Sequence, residues 1–143
     1  MNAENSLELR QSQITEEFEM FSDWMEKYEH IIEIGKELEP IDPSQKLEEN
    51  LIKGCQSRVW LTASQNKEGN VIFTADSDAI ITKGLVALMI RVLSDAKPME
   101  IAKADLHFIE DIGLNAHLSP TRSNGLVSMV KQMKMYGLAF SAR

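Results

Sequence analysis

Along the N-terminal part of the chain, apolar side chains recur in steps of three and four. Ile14, Phe18, Phe21, Met25, Tyr28, Ile32 and Gly35 form one such stripe, the signature of helix with one buried face. Ser22-Asp23 interrupts it, and Asp23 followed three residues later by Glu26 has the form of a capping box that restarts it. The pattern predicts two consecutive helices, about residues 7–21 and 24–38, the second ended by Pro40 and Pro43. From Ser57 the period drops to two. Val59, Leu61 and Ala63 alternate with Arg58, Trp60 and Thr62, "SQNKEGN" supplies a turn, and "VIFTA" follows. Two such runs about a Gly-containing loop predict an antiparallel hairpin, to which residues 51–53 offer a short third strand.

Residues 79–93 are apolar on nearly every face, apart from Thr82, Lys83 and Arg91. That predicts a central helix buried on most sides, with Asp76, Ser77 and Asp78 as candidate N-caps. Pro98 opens a short helix over 99–103, and residues 106–112 form another, closed by Gly113. "SPTRSNG" reads as a loop, and Leu126, Val130, Met133, Gly137 and Phe140 make the stripe of a last helix. Gly84 and Gly125, inside helical patterns, mark close backbone approach. Helices, a hairpin, then helices is an α+β order rather than alternating βαβ. A length of 143 residues fits one domain, 1–143.

Composition narrows the function. Apolar residues make up 43% and charged residues 26%, as in an ordinary soluble protein, and a net charge of −7 argues against a nucleic-acid partner. Residues 1–10 lack the apolar segment of a secretory leader. The longest apolar run, 84–90, is too short to cross a bilayer. A single cysteine builds no internal disulfide, so the expected compartment is the cytoplasm, where a lone thiol stays reduced. His30, His107 and His117 lack metal-site spacing and no Cys-x-x-Cys occurs, so zinc is not expected. His30 is expected to be exposed, and the eight methionines to be core filler.

The candidate for chemistry is Cys55, within "LIKGCQSRVWL". A free cysteine is ordinarily a small buried hydrophobe, but Gly54 before it suits a sharp turn that presents the next side chain. Strand parity carried back from Val59 puts Ser57 and Cys55 on the core-facing side, so the thiol is expected at the mouth of the core, sheltered on a loop. Lys53 and Arg58 favour its thiolate and burial opposes it; spacing does not decide between them. Gln56 and Ser57 either tether the loop or are plain turn residues. A Cys–His hydrolase pairing Cys55 with His117 is a separate class of reading.

"GCQSRVWL", "DSDAIITKGLVAL" and "LSPTRSNGLVSMV", in that order after "WMEKYEHIIEIGKEL", resemble the SufE family over about residues 14–130. The resemblance implies a fold like the IscU-type scaffolds, a small antiparallel sheet covered on one side by helices. It also implies that Cys55 is a sulfur acceptor. A SufS-like cysteine desulfurase, using pyridoxal phosphate, holds sulfur as a persulfide. Cys55 takes it, stimulating the desulfurase, and passes it to a SufBCD-like iron–sulfur scaffold. With no second cysteine, the cargo cannot be lost to an internal disulfide. Arg122 falls where the family has an arginine near the cysteine loop, the alternative being a solvated charge at a helix start. Asp78 falls close to the same loop, and Gly54, Gln56 and Ser57 belong to it. Arg58 departs from the uncharged residue frequent there. On this reading the chain is a sulfurtransferase-type accessory protein with no cofactor and no desulfurase activity of its own. The alternatives are a non-covalent desulfurase activator and a paralogue feeding other sulfur acceptors. A homodimer is left open.

Overall fold

Helices precede and follow a single hairpin. The computed structural model describes residues 3–142; residues 1, 2 and 143, which the single-domain and leader expectations also cover, lie outside the described residues. Helices α1 (Ala3–Glu19) and α2 (Trp24–Lys36) come first, then 3-10 turns at Pro43–Gln45 and Glu48–Asn50. Strands β1 (Val59–Gln65) and β2 (Val71–Ser77) lead into α3 (Ile80–Leu93). Three short helices, α4 (Pro98–Lys103), α5 (Phe108–Asp111) and α6 (Leu114–His117), precede the long α7 (Pro120–Ser141).

The strands pair antiparallel, from Val59 with Ser77 to Gln65 with Val71. The period of two puts Val59, Leu61, Val71, Phe73 and Ala75 on a buried face. The other face carries Trp60, Asp76 and a Thr62–Thr74 hydroxyl pair. The expected third strand reduces to one bridge, Leu51–Trp60, because only Ile52 N–H reaches across, to the Val59 carbonyl at 2.8 Å. The opposite edge has one bridge too, Val71–Ala96.

As its composition predicts, α3 is the buried axis, with Ile81, Leu85, Val86, Leu88, Met89, Val92 and Leu93 inside. α2 crosses it where two glycines meet. A Cβ on Gly35 would stand 2.7 Å from the Gly84 nitrogen, and one on Gly84 would overlap the Ile31 carbonyl oxygen. Arg10 of α1 donates to the carbonyls of Val92 (2.7 Å), Ser94 (2.8 Å) and Asp95 (2.9 Å), satisfying acceptors that the end of α3 leaves free. Buried Gln11 donates to the Asp105 carbonyl and accepts from Phe108 N–H, each at 3.1 Å.

Several expectations need correction. The α1–α2 stripe is offset: Ile31 is fully buried and Met25 is exposed. Asp23 caps α2 by accepting from Glu26 N–H, but the Glu26 carboxylate accepts from the Ser22 hydroxyl instead of closing a capping box. His30 is not exposed. The chain reverses between α1 and α2, bringing its ring to 5.1 Å from that of Phe18 and 4.8 Å from that of Phe21. Residues 106–112 yield only α5, and Gly113, at φ 84°, leads into α6. "SPTRSNG" is not a loop: Ser119 caps α7, accepting from Arg122 N–H, and Pro120 takes the first helical position, where its missing N–H costs nothing. No side chain of "DSD" caps α3, since Ala79 occupies the N-cap. Met89, Met129 and Met133 fill the core, whereas Met20, Met25, Met99 and Met135 face solvent.

Candidate functional site

The Ile52–Val59 hydrogen bond closes a narrow loop whose tip is residues 53–58. Gly54 sits there at φ 92°, a conformation L side chains rarely adopt. Its missing Cβ has a second use, since a Cβ there would collide with the Ser128 hydroxyl of α7. The tip therefore lies flat against that helix. Cys55 follows, half-buried, with Sγ 3.6 Å from the Gly125 carbonyl oxygen, a weak S–H donor contact. A Cβ on Gly125 would also stand 3.6 Å from the sulfur. Burial alternates as the parity argument predicts, with Cys55, Ser57 and Val59 inward and Gly54, Gln56 and Arg58 exposed, although the segment before Val59 is not strand.

The far side of the loop is held by its backbone. Arg58 N–H donates to the Asp78 carboxylate at 3.0 Å, and its carbonyl accepts from Ser77 Oγ at 2.8 Å and Asp78 N–H at 3.2 Å. Asp78 thus serves the cysteine loop and not the start of α3.

A cavity of about 430 Å³ opens beside the sulfur. The loop contributes Cys55, Gln56 and Ser57, α3 contributes Thr82 and Leu85, and Ser119, Thr121, Arg122, Gly125 and Met129 come from α7 and its cap. The Arg122 guanidinium lies 5.8 Å from the centre of the Tyr28 ring, a cation–π placement that offsets its unfavourable position at a helix N-terminus. Burial pushes the Cys55 thiol above its ordinary pKa. Lys53 and Arg58 point into solvent and do not offset this, so the resting group is the protonated thiol.

Of the residues singled out in the sequence, Cys55, Gln56, Ser57 and Arg122 share one cavity, while Gly54 and Asp78 support the loop from outside it. His117 does not join them. Its ring stacks on Trp24 with centroids 4.4 Å apart, and Nδ1 lies 2.9 Å from the Gly113 carbonyl, so the Cys–His pairing has no geometry behind it. His107 lies elsewhere, between Glu8 and Asp111. Among the described residues no group of three or more His, Cys, Asp or Glu is placed to hold a metal ion, and no helix is long and apolar enough to cross a membrane. Sequence reasoning missed Ser119, Thr121 and Met129 on the wall of the sulfur's cavity and Ser128 beneath Gly54. Ser-Pro, a cap followed by a first-turn proline, was the available signal for the first two. Thr82 was visible as a polar interruption of an apolar helix.

Comparison with known proteins bears on most of the chain. The sequence model of the SufE family, described as an Fe-S metabolism associated domain, matches residues 12–137. The fold is similar to the solution structure of a hypothetical protein from Thermus thermophilus, with a TM-score of 0.76 over 94% of this chain and 97% of that one. The two are 18% identical, so this likeness is one of fold.

Proposed function

The chain belongs to the SufE family, the Fe-S metabolism associated domain, and from that premise we propose that it carries sulfur on Cys55. The donor is the persulfide of a pyridoxal-phosphate-dependent, SufS-like cysteine desulfurase, and the recipient is an iron–sulfur scaffold of the SufBCD kind. The step is a thiol exchange. Cys55 Sγ attacks the outer sulfur of the donor persulfide, the donor's S–S bond breaks, and a new S–S bond forms on Cys55. The proton released by Cys55 ends on the departing donor thiolate, so no external oxidant or reductant is consumed. Carbon–sulfur cleavage stays with the partner's cofactor. A lone thiol in a reducing cytoplasm is suited to this task.

The observation that supports this most is the setting of the sulfur. It rides on the tip of a loop shaped by Gly54, and an open cavity beside it leaves room for one more sulfur atom. Arg122 on the cavity wall favours an anionic persulfide. Gln56 and Ser57 offer polar groups beside it. Burial keeps the thiol protonated between encounters, so docking has to expose it before it can attack. Stimulation of the desulfurase follows from removal of its persulfide.

Intact-mass spectrometry tests the proposal after mixing the protein with the desulfurase and free cysteine. Wild type gains the mass of one sulfur, removable by reductant, and Cys55→Ala gains none. Stimulation that persists in Cys55→Ser would instead identify a non-covalent activator.

A further inference from the structure

The buried axis α3 carries three polar side chains, Thr82, Lys83 and Arg91, and two of them have partners. Lys83 reaches the Asp76 carboxylate at 3.3 Å, and Arg91 reaches that of Glu17 at 2.6 Å. Thr82 is only 7% exposed, yet among the described residues its hydroxyl makes no hydrogen bond. A buried hydroxyl left unpaired is destabilising and calls for an explanation, since valine has the same shape without the hydroxyl. Thr82 does not serve the helix as a cap, because Ala79 holds the N-cap position and no side chain caps α3. What Thr82 lines is the cavity beside Cys55. The rest of the buried wall of that cavity is Leu85, Gly125 and Met129, none of which has a polar side chain. The polar residues contributed by the cysteine loop and by the start of α7 are half-buried or exposed. Thr82 is therefore the one side-chain donor on the buried part of the wall.

We propose that Thr82 holds the outer sulfur of the Cys55 persulfide, its hydroxyl donating a hydrogen bond to that atom. Loading reverses what the sulfur needs from its surroundings. The resting thiol is a donor, and its acceptor is the Gly125 carbonyl 3.6 Å away. The persulfide, Cys55 Sγ–S–H, is more acidic than a thiol. It gives its proton to water and leaves negative charge on the outer sulfur. Sγ then has no proton to donate, and the Gly125 carbonyl repels the new anion. An anion is held by donors, and the unpaired Thr82 hydroxyl is one, on α3 rather than on the α7 wall that carries the carbonyl. An outer sulfur that turns from the carbonyl toward Thr82 stays inside the cavity. The charged groups around it do not replace this contact. Arg122 is on the exposed rim, Lys53 and Arg58 are in solvent, and Lys83 is engaged by Asp76. The inference rests on the carrier reading, which supplies the persulfide.

The test compares wild type, Thr82→Val and Thr82→Ser, each loaded by the desulfurase with free cysteine and then separated from both. Iodoacetamide alkylates the persulfide, and mass spectrometry follows the reaction across pH, since the alkylated persulfide is one sulfur heavier than the alkylated thiol. Thr82→Val is expected to raise the midpoint of this profile by about one pH unit, tenfold in the ionisation constant, because a donor to the charged form is lost. Thr82→Ser keeps the hydroxyl and is expected to stay at the wild-type midpoint. The unloaded thiol is the control. Its midpoint is expected to coincide in all three proteins, because in the resting protein Sγ bonds to Gly125 and not to Thr82. Coincident midpoints for loaded wild type and loaded Thr82→Val overturn the proposal, as does a Thr82→Ser profile shifted as far as that of Thr82→Val. An equal shift in the unloaded thiol of Thr82→Val also overturns it, in favour of a general disturbance of the cysteine loop. The carrier reading is judged separately, by the gain of one sulfur on wild-type Cys55. No gain there overturns both readings, whereas normal loading with coincident midpoints overturns the role of Thr82 alone.

Discussion

At the α2–α3 crossing, the absent Cβ of Gly84 lets one helix backbone rest on another, with the Ile31 carbonyl in the space a side chain would need. At the cysteine loop, the absent Cβ of Gly54 lets a loop tip rest on α7, against the hydroxyl of one serine. Both are glycine contacts, yet they differ in what surrounds them. The first lies within the main core, flanked by Ile31, Leu85 and Leu88, all fully buried. The second has solvent on one side and a cavity on the other, with one long S–H contact holding the sulfur. A close approach becomes a rigid seam when packing continues around it and a detachable seat when it does not.

The largest effect expected is at the seam. Gly84→Leu should cost about 3 kcal/mol, the upper end for overpacking, because the obstacle is backbone and not a side chain that can swing away. Urea unfolding midpoints measure it, and a loss below about 1 kcal/mol would mean that the seam yields like the seat. Gly54→Ala should cost about 1–2 kcal/mol through the positive φ and the Ser128 collision, and it should raise the rate of iodoacetamide labelling.

The same variant sharpens the comparison through pH. Burial raises the Cys55 pKa, so wild-type labelling should climb with a midpoint above that of the unfolded chain, and Gly54→Ala should move it down. The seated, protonated thiol contributes stability below the ordinary thiol range, and this is lost as pH rises through the folded-state value. Coincident midpoints in folded and unfolded protein would show that the seat does not shelter the sulfur.

Asp78→Arg removes the acceptor of Arg58 N–H and should cost about 1 kcal/mol. Labelling should be faster and desulfurase binding tighter, since a partner that needs the open loop then selects from a larger population. Faster labelling without tighter binding would mean that opening does not limit the complex. Smallest of all, Cys55→Ser should stay within about 0.5 kcal/mol of wild type in the same unfolding assay. A large loss there would make Cys55 part of the core and not a passenger on its rim.

What could be read from the sequence followed the range of the interactions. α3 was legible because its apolar faces leave no alternative to burial, and the hairpin because a period of two specifies its register. The sheltered position of Cys55 followed from that same parity. The role of Asp78 was not legible. Locally "DSDA" looks like a helix cap, but the acceptor serves a backbone N–H twenty residues earlier in the chain, which no window of local pattern contains. The reversal that packs a partly buried His30 against Phe18 and Phe21 is tertiary too. The first turn of α7 was missed differently, since Pro, Thr, Ser and Asn suggest a loop while Ser-Pro in that order starts a helix.

The sheet has two edges, and among the described residues each is closed by a single bridge, Leu51–Trp60 on β1 and Val71–Ala96 on β2. The first of these is also the base of the cysteine loop. A loop that lifts only from Lys53 outward leaves β1 guarded. One that peels back through Leu51 also frees the Val59 carbonyl and so lengthens the edge of β1 that has no strand partner, the template on which another chain can add a strand. How far the loop unzips therefore separates a productive opening from the first step of aggregation, and the Ile52–Val59 hydrogen bond stands at that boundary.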